Sequence, residues 1–212
     1  MAGLLDACAS REAMVYDTKW KRRGVIAGLA AATVGSLMPD EWQQAFAQED
    51  MAPTPSCDDG DEPTPAQTEG PYFTPNSPER SQLQEEGMTG TPIVLTGLVL
   101  TRSCAPVEGA LIELWHANDA GQYDNDGFRL RGHQFTKRNG IYRFATIVPG
   151  LYPGRTRHFH VKIQASGKSV LTTQFYFPNE PGNEGDGIFN PALLLNITNG
   201  SDLTARFDVI LA

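Results

Sequence analysis

Short runs of alternating apolar residues dominate the second half of this 212-residue chain. In residues 157–164, Phe159, Val161 and Ile163 occupy every second position. A period of two is the repeat of a β-strand, whose successive side chains point to opposite faces. Turn-forming pairs such as Asn139-Gly140 separate the runs. Six runs can be recognised, at residues 93–99, 110–117, 140–147, 157–164, 170–177 and 205–211. The pattern predicts an all-β fold, an antiparallel β-sandwich without long helices.

The first 47 residues predict an export signal. Residues 24–38 carry no charge, follow the cations of residues 19–23 and precede the small-residue sequence Ala45-Phe46-Ala47. This stretch is shorter than the roughly 20 residues of a membrane-spanning helix, and the order of its flanks is typical of a cleaved signal. Arg22-Arg23 favours twin-arginine export, with general secretion as the alternative. We therefore expect an exported protein, periplasmic or extracellular, with no membrane span in the mature chain.

Residues 48–66 are rich in Pro, Asp, Glu and Gly, which predicts a flexible tether. Residues 67–212 then form the sandwich. The net charge of −8, with no basic run beyond residues 21–23, argues against a nucleic-acid partner. After cleavage, Cys57 and Cys104 would be the remaining cysteines. In an oxidising compartment they most simply pair, and two unrelated buried thiols are the alternative.

The residues themselves suggest metal binding. His158 and His160 lie two positions apart on a predicted strand, so both imidazoles project from one face and could converge on one metal ion. Taken alone, the pair is more typical of two surface histidines. No Asp or Glu occurs between Asp126 and Glu180, so nearby anionic ligands would be tyrosines. Because the free phenol has a pKa of about 10, such ligands call for a strongly Lewis-acidic metal such as ferric iron.

Several ordered motifs resemble those of the intradiol ring-cleavage dioxygenases, ferric enzymes that open catechols between their two hydroxyls. The matching segments are Thr68-Glu69-Gly70-Pro71-Tyr72, residues 114–118 with 121–123, and residues 129–132, 144–150, 152–160 and 174–178. Motifs in matching order are far more specific than any one alone. The resemblance implies the β-sandwich of that family, a non-haem Fe³⁺ cofactor, and a catechol-type substrate that O₂ cleaves to a muconate-type diacid.

The resemblance also implies the site residues. The ferric ligands would be Tyr123, Tyr152, His158 and His160. Without the family, Tyr123 would pass for an ordinary loop tyrosine. In the family, the second tyrosine leaves the metal when catechol binds and accepts a substrate proton, and this role is assigned to Tyr152.

Two further residues match the family beside the metal. Arg155 corresponds to an arginine that stabilises charge on the activated ring, and Gln174 to a glutamine next to the site. We expect His116 and His133 to be structural or at the pocket edge, and Trp115 to be a core residue. The alternative function is a non-catalytic exported β-sandwich module that binds carbohydrate or protein.

Overall fold

The computed structural model describes residues 62–212, and nearly all of their regular structure is β-strand. The only helix among these residues is one turn of 3₁₀ helix, Pro191–Leu193. The nine strands are β1 (Pro92–Thr101), β2 (Leu111–Trp115), β3 (Arg131–Phe135), β4 (Ile141–Ile147), β5 (His158–Gln164), β6 (Leu171–Tyr176), β7 (Asn196–Asn199), β8 (Leu203–Arg206) and β9 (Val209–Leu211).

The strands form two sheets, which confirms the predicted β-sandwich. The first sheet has the order β4-β1-β8-β7, with β9 also paired to β1, and the second has the order β3-β2-β5-β6. The second sheet is antiparallel throughout. The first is mixed, because β1 pairs antiparallel with β4 but parallel with both β8 and β9. The purely antiparallel arrangement predicted for the sandwich therefore holds for the second sheet only.

The core contains the alternating apolar side chains of both sheets. On β5, Phe159, Val161 and Ile163 are almost fully buried, as their spacing predicts. Ile112 and Leu114 of β2 join them in the same cluster. Burying one such side chain contributes about 1.5–3 kcal/mol, so the apolar face fixes which side of β5 points inward. The remaining side chains of β5 must therefore project from the other face of the second sheet.

The outer face of the second sheet carries one cross-strand row of polar and aromatic residues. The register pairs Trp115 with Arg131 on one side and with His160 on the other. His160 is in turn paired with Gln174 of β6. Residues in register on neighbouring antiparallel strands have side chains close together. The sheet thus brings Arg131, Trp115, His160 and Gln174 into one line, although they are far apart in sequence.

We call residues 62–83 the strap, because they cross the sandwich and pair with strands at its edges. The amide of Gln67 donates to the carbonyl of Thr172 on β6 at 2.8 Å. Further along, the amide of Arg80 donates to His133 of β3 at 2.9 Å, and that of Leu83 to Ala145 of β4 at 2.9 Å. The strap therefore runs from one edge of the second sheet to the other, over the face that carries His160.

The strap begins inside the predicted tether. Within residues 62–66, Thr64 is buried, and its amide donates to the carbonyl of Ile210 at 2.9 Å. These residues lie against the sandwich, while residues 48–61 of the tether and the export signal at residues 1–47 lie outside the described part. Cys104 is disulfide-bonded, and its predicted partner Cys57 is also outside the described residues. No helix within residues 62–212 is long and apolar enough to span a membrane.

Candidate metal centre

The two histidines of β5 converge as their spacing predicts. His158 and His160 are 4% and 3% exposed, so neither is the surface histidine that the short motif alone favours. Their Nε2 atoms lie 3.1 Å apart. Two imidazole nitrogens that each lie ~2.1 Å from one metal ion are separated by roughly 3.0–3.4 Å at bond angles near 90–110°. The observed separation therefore fits two ligands of one ion.

Hydrogen bonds set the protonation pattern of this pair. Nδ1 of His158 lies 2.6 Å from the carbonyl oxygen of Thr156. A carbonyl can only accept, so Nδ1 carries the proton and Nε2 of His158 presents a lone pair to the site. Nδ1 of His160 is buried and has no hydrogen-bond partner among the described residues. No partner fixes a proton on Nδ1 of His160, so the hydrogen bond to a carbonyl defines the tautomer of His158 only.

Burial keeps both imidazoles neutral. Loss of solvation lowers the pKa of His158 to about 4, with a smaller opposing effect from the carbonyl of Thr156. Burial also lowers the pKa of His160 well below its ordinary value, and the positive charges of Arg155 and Arg131 act in the same direction. A neutral imidazole is the form that binds metals. Near neutral pH, both imidazoles are therefore uncharged, and neither has to lose a positive charge before a metal ion binds.

Tyr123 and Tyr152 reach the site from two loops. The hydroxyl of Tyr123 lies 3.4 Å from Nε2 of His158, and the ring centroids of the two tyrosines are 5.9 Å apart. The loops meet at Gly121, where a Cβ atom would lie 2.1 Å from the carbonyl oxygen of Leu151. Only glycine permits that approach. Burial raises the pKa of Tyr123, and the charges of Arg155 and Arg131 partly oppose this rise.

A third tyrosine, Tyr72 of the strap, completes an aromatic cluster. Its hydroxyl lies 2.7 Å from that of Tyr152, and its ring stacks on Tyr123 with centroids 4.6 Å apart and 14° between the planes. The sequence motif of residues 68–72 contains Tyr72, but the motif assigns it no role. The signal that could have identified it is its place in the motif Thr68-Glu69-Gly70-Pro71-Tyr72, whose Gly70 approaches the ring of His160.

Arg155 and Gln174, the two further residues named by the resemblance, lie side by side. Nη2 of Arg155 donates to Oε1 of Gln174 at 2.6 Å, and Nε donates to Oδ2 of Asp186 at 2.8 Å. A second arginine, Arg157, pairs with Glu180 at 2.7 Å. The two cations that precede the histidines are therefore balanced by carboxylates that follow them in sequence.

The remaining aromatic and imidazole side chains have structural partners. Trp115 is buried as expected, but it stacks on His160 outside the main core, with centroids 5.0 Å apart and 8° between the planes. His116 is buried, and its two nitrogens lie 2.8 Å from the carbonyl of Ala117 and 2.6 Å from the hydroxyl of Thr146. His133 lies 3.3 Å from the hydroxyl of Ser77, outside the converging pair.

The donor set fits a ferric ion better than a softer metal. No group of three His, Cys, Asp or Glu side chains within residues 62–212 could hold a metal ion. Further protein ligands at the histidine pair would have to be phenols, and Tyr123 is already within 3.4 Å of His158. Phenol oxygens are hard donors with high pKa values, and their ionisation requires a strongly Lewis-acidic cation. A donor set of two imidazoles and neighbouring phenols therefore matches a cation as strongly Lewis-acidic as ferric iron.

Comparison with known proteins identifies several related chains. A profile of the family described as "Dioxygenase" matches residues 68–193. The dioxygenase domain of a carbohydrate-binding fusion protein from Streptomyces sp. SirexAA-E is 52% identical, with a TM-score of 0.68 over 71% of this chain and 98% of that one. An intradiol ring-cleavage dioxygenase from Tetranychus urticae is 28% identical, with a TM-score of 0.65 over 71% and 94% of the two chains.

The chain belongs to the intradiol ring-cleavage dioxygenase family. A relative in that family, the protocatechuate 3,4-dioxygenase beta chain of Burkholderia cepacia, is 37% identical over 118 residues, which are 47% of this chain and 50% of the relative. The chain spans about half the length of the curated relatives that head the comparison. The matched residues 68–193 include β5 and all three tyrosines of the cluster.

Proposed function

We propose that the protein is a ferric non-haem dioxygenase that cleaves catechol-type rings between the two hydroxyls with O₂ and yields muconate-type diacids. The observation that carries the proposal is the convergence on Nε2 of His158, which lies 3.4 Å from the hydroxyl of Tyr123 and 3.1 Å from Nε2 of His160. Family membership supports it, since similar proteins include hydroxyquinol and catechol 1,2-dioxygenases. These comparisons do not favour the alternative of a non-catalytic binding module.

In the proposed site, Tyr123, Tyr152, His158 and His160 would hold Fe³⁺. When bound, the ion would supply Lewis acidity and a template for the two oxygens of a catechol. The protein prepares this site in advance, because the hydrogen bond from Nδ1 of His158 to Thr156 aims the other nitrogen inward. Trp115 stacks on His160 and restricts the rotation of its ring.

Tyr152 is proposed to accept a proton at its phenol oxygen when the substrate binds. A proton acceptor must lie within reach of the substrate and must be able to move. Tyr152 is partly exposed and lies in a loop before β5, so its side chain can change position without breaking a strand. The hydroxyl of Tyr72, 2.7 Å away, is a hydrogen-bond partner for the phenol oxygen of Tyr152.

Arg155 is proposed to stabilise negative charge on the substrate ring. Its guanidinium lies in a polar network with Gln174 and with Asp186, whose side chain is only 2% exposed. Gln174 also donates from Nε2 to the carbonyl of Thr68 in the strap at 3.1 Å. The network therefore fixes the direction of the cation, and electrostatic stabilisation depends on such preorganisation.

We also propose that the protein is exported to the periplasm or the extracellular space. The basis is the order of cations, apolar stretch and small residues within residues 1–47. The disulfide at Cys104 supports the proposal, because disulfides persist in oxidising compartments. Expression of the full chain with fractionation would test it, and protein retained in the cytoplasm with its N-terminus intact would contradict it.

A product analysis would test the catalytic proposal. The purified protein should be loaded with ferric iron, incubated with catechol under isotopically labelled O₂, and its product examined by mass spectrometry and NMR. We expect a diacid that contains both atoms of one O₂ molecule and an opened bond between the hydroxyl carbons. A semialdehyde product, opened beside the hydroxyls, would contradict the intradiol proposal. Iron-loaded protein that turns over none of the catechols tested would favour the binding module.

A further inference from the structure

Arg131 is a buried cation that the proposed chemistry does not use. Its residue is 1% exposed, and among the described residues 62–212 no carboxylate lies within ion-pair distance of it, although the charges of Asp124 and Glu113 act on it from further away. Burying an arginine without a direct ion pair is costly unless its N–H groups are satisfied. The contacts of Arg131 must therefore explain why an arginine is buried beside the candidate metal centre.

The guanidinium of Arg131 bonds to two backbone carbonyls on two different segments. Nε and Nη2 donate to the carbonyl oxygen of Asp124 at 3.0 and 2.6 Å. Nη1 donates to the carbonyl oxygen of Tyr72 in the strap at 2.6 Å. Asp124 directly follows Tyr123 in sequence. The arginine therefore binds the backbone of Tyr72 itself and the backbone next to Tyr123, and the rings of these two tyrosines stack on each other.

The sheet holds Arg131 itself in place. It is paired in register with Trp115, which stacks on His160. Its own carbonyl accepts a hydrogen bond from Nε of Arg80 in the strap at 3.0 Å. One side chain anchored to β3 therefore ties the Tyr123 loop and the strap to the sheet that carries the histidines.

We propose that Arg131 is a positioning residue of the metal centre, a clamp that fixes Tyr123 and Tyr72 relative to the histidine pair. The proposal rests on the proposed ferric site. A planar fork with five N–H groups can reach both carbonyls at once, whereas the single ammonium group of lysine cannot span them. The clamp thus depends on the shape of the guanidinium and not only on its charge.

The test uses the full-length protein with Arg131→Lys and Arg131→Met, and Arg129→Met as the control. Arg129 lies in the same segment, but its side chain is exposed and pairs with Glu85 at 3.6 Å. Loss of a residue that orients a metal ligand typically costs roughly 10–100-fold in metal affinity. We expect that loss in both Arg131 variants, with a shifted tyrosinate-to-iron absorption band, and wild-type behaviour in Arg129→Met. Wild-type affinity and band position in Arg131→Lys would overturn the proposal.

Hydrogen exchange of the iron-free proteins gives a second readout, which remains informative if Arg131→Met does not fold. We expect faster amide exchange in Arg131→Lys within residues 67–73 and 119–128, with no change in β5. Unchanged exchange in both segments would overturn the clamp. If the wild-type protein binds no iron, the proposed ferric function is wrong. Hydrogen exchange of the iron-free protein still tests whether Arg131 fixes the two segments.

Discussion

The two halves of the candidate metal centre are built differently. The imidazoles of His158 and His160 lie on β5, which is hydrogen-bonded to β2 on one side and β6 on the other, and both are almost fully buried. The phenols of Tyr72, Tyr123 and Tyr152 lie on irregular segments and remain partly exposed. Moving the backbone that carries an imidazole would require breaking the ladder of the sheet, whereas the backbone that carries a loop phenol can move without breaking a strand. The sheet therefore suits permanent ligands, and the loops suit one that must be displaced.

Removal of a strand ligand should have the largest effect. We predict that His160→Ala loses both iron and activity, because a buried site that depends on two imidazoles cannot hold the ion with one. The matched control is His133→Ala, which removes a histidine from the same sheet, away from the converging pair. Iron analysis and turnover would check both variants. Full iron content in His160→Ala would show that the strand does not supply the permanent ligands.

Removal of the loop ligand should separate binding from chemistry. We predict that Tyr152→Phe retains iron through Tyr123, His158 and His160 but turns over catechol roughly 10²–10⁴-fold more slowly, since it lacks the proton acceptor. Tyr123→Phe should instead weaken the resting iron site. The two variants can be compared by iron content, visible spectrum and single-turnover rate. Normal turnover in Tyr152→Phe would reassign the displaceable ligand.

A smaller effect is expected from the carboxylate that holds Arg155. Asp186→Asn exchanges a charge-assisted hydrogen bond to Arg155 for a neutral one. Such a bond contributes about 1.5–3 kcal/mol, and losing that much transition-state stabilisation would lower turnover on the order of tenfold to a hundredfold. The control is Glu180→Gln, which should change little, because the Glu180 side chain is 20% exposed whereas that of Asp186 is 2% exposed. Equal turnover in the two variants would show that the orientation of Arg155 is unimportant.

The same pair predicts a dependence of stability on pH. Burial opposes ionisation of Asp186, but amide donors from Thr156 and Ile188 and the guanidinium of Arg155 hold its pKa below the ordinary value. A lowered pKa in the folded state adds stability above about pH 4, and that stability is lost as the pH falls through the folded pKa. Urea unfolding across this range should show a loss in the wild type that Asp186→Asn lacks.

The smallest effect on turnover should come from the strap. Gly70 has a φ of +73°, and a Cβ there would lie 3.3 Å from Cε1 of His160, whereas Gly87 has a φ of +75° and nothing within 4 Å. Gly70→Ala and Gly87→Ala should each lose roughly 1–3 kcal/mol of unfolding free energy from backbone strain. Only Gly70→Ala should also change the spectrum of the iron site. Identical spectra would mean that the strap does not restrict His160.

The strand half of the site could be predicted from the residues, and the loop half could not. The alternation around Phe159 and Val161 fixes the face of β5, so periodicity places His158 and His160 on one face, where they could converge on one metal ion. Tyr123 is 35 positions before His158, and no local pattern relates them. Its assignment therefore required the resemblance to a family, and Tyr72 was assigned no role.

The fold shows the same division. The six apolar runs correspond to strands, but the last run is split into β8 and β9, because Phe207 and Asp208 interrupt the pairing to β1. The polar strands β3 and β7 were not predicted, since Arg131–Phe135 and Asn196–Asn199 lack apolar alternation. Pairing with neighbouring strands determines these elements, and such long-range contacts leave no periodic signal in the sequence.

The central claim is that two strand imidazoles and two loop phenolates hold one ferric ion. The most direct measurement is the visible absorption spectrum and iron content of the ferric-loaded wild-type protein, before and after anaerobic addition of catechol. The account predicts one iron per chain, a tyrosinate-to-iron band in the resting protein, and a changed band once catechol displaces Tyr152. Iron bound at one per chain without any tyrosinate band, or a protein that stays colourless and iron-free after loading, would contradict it.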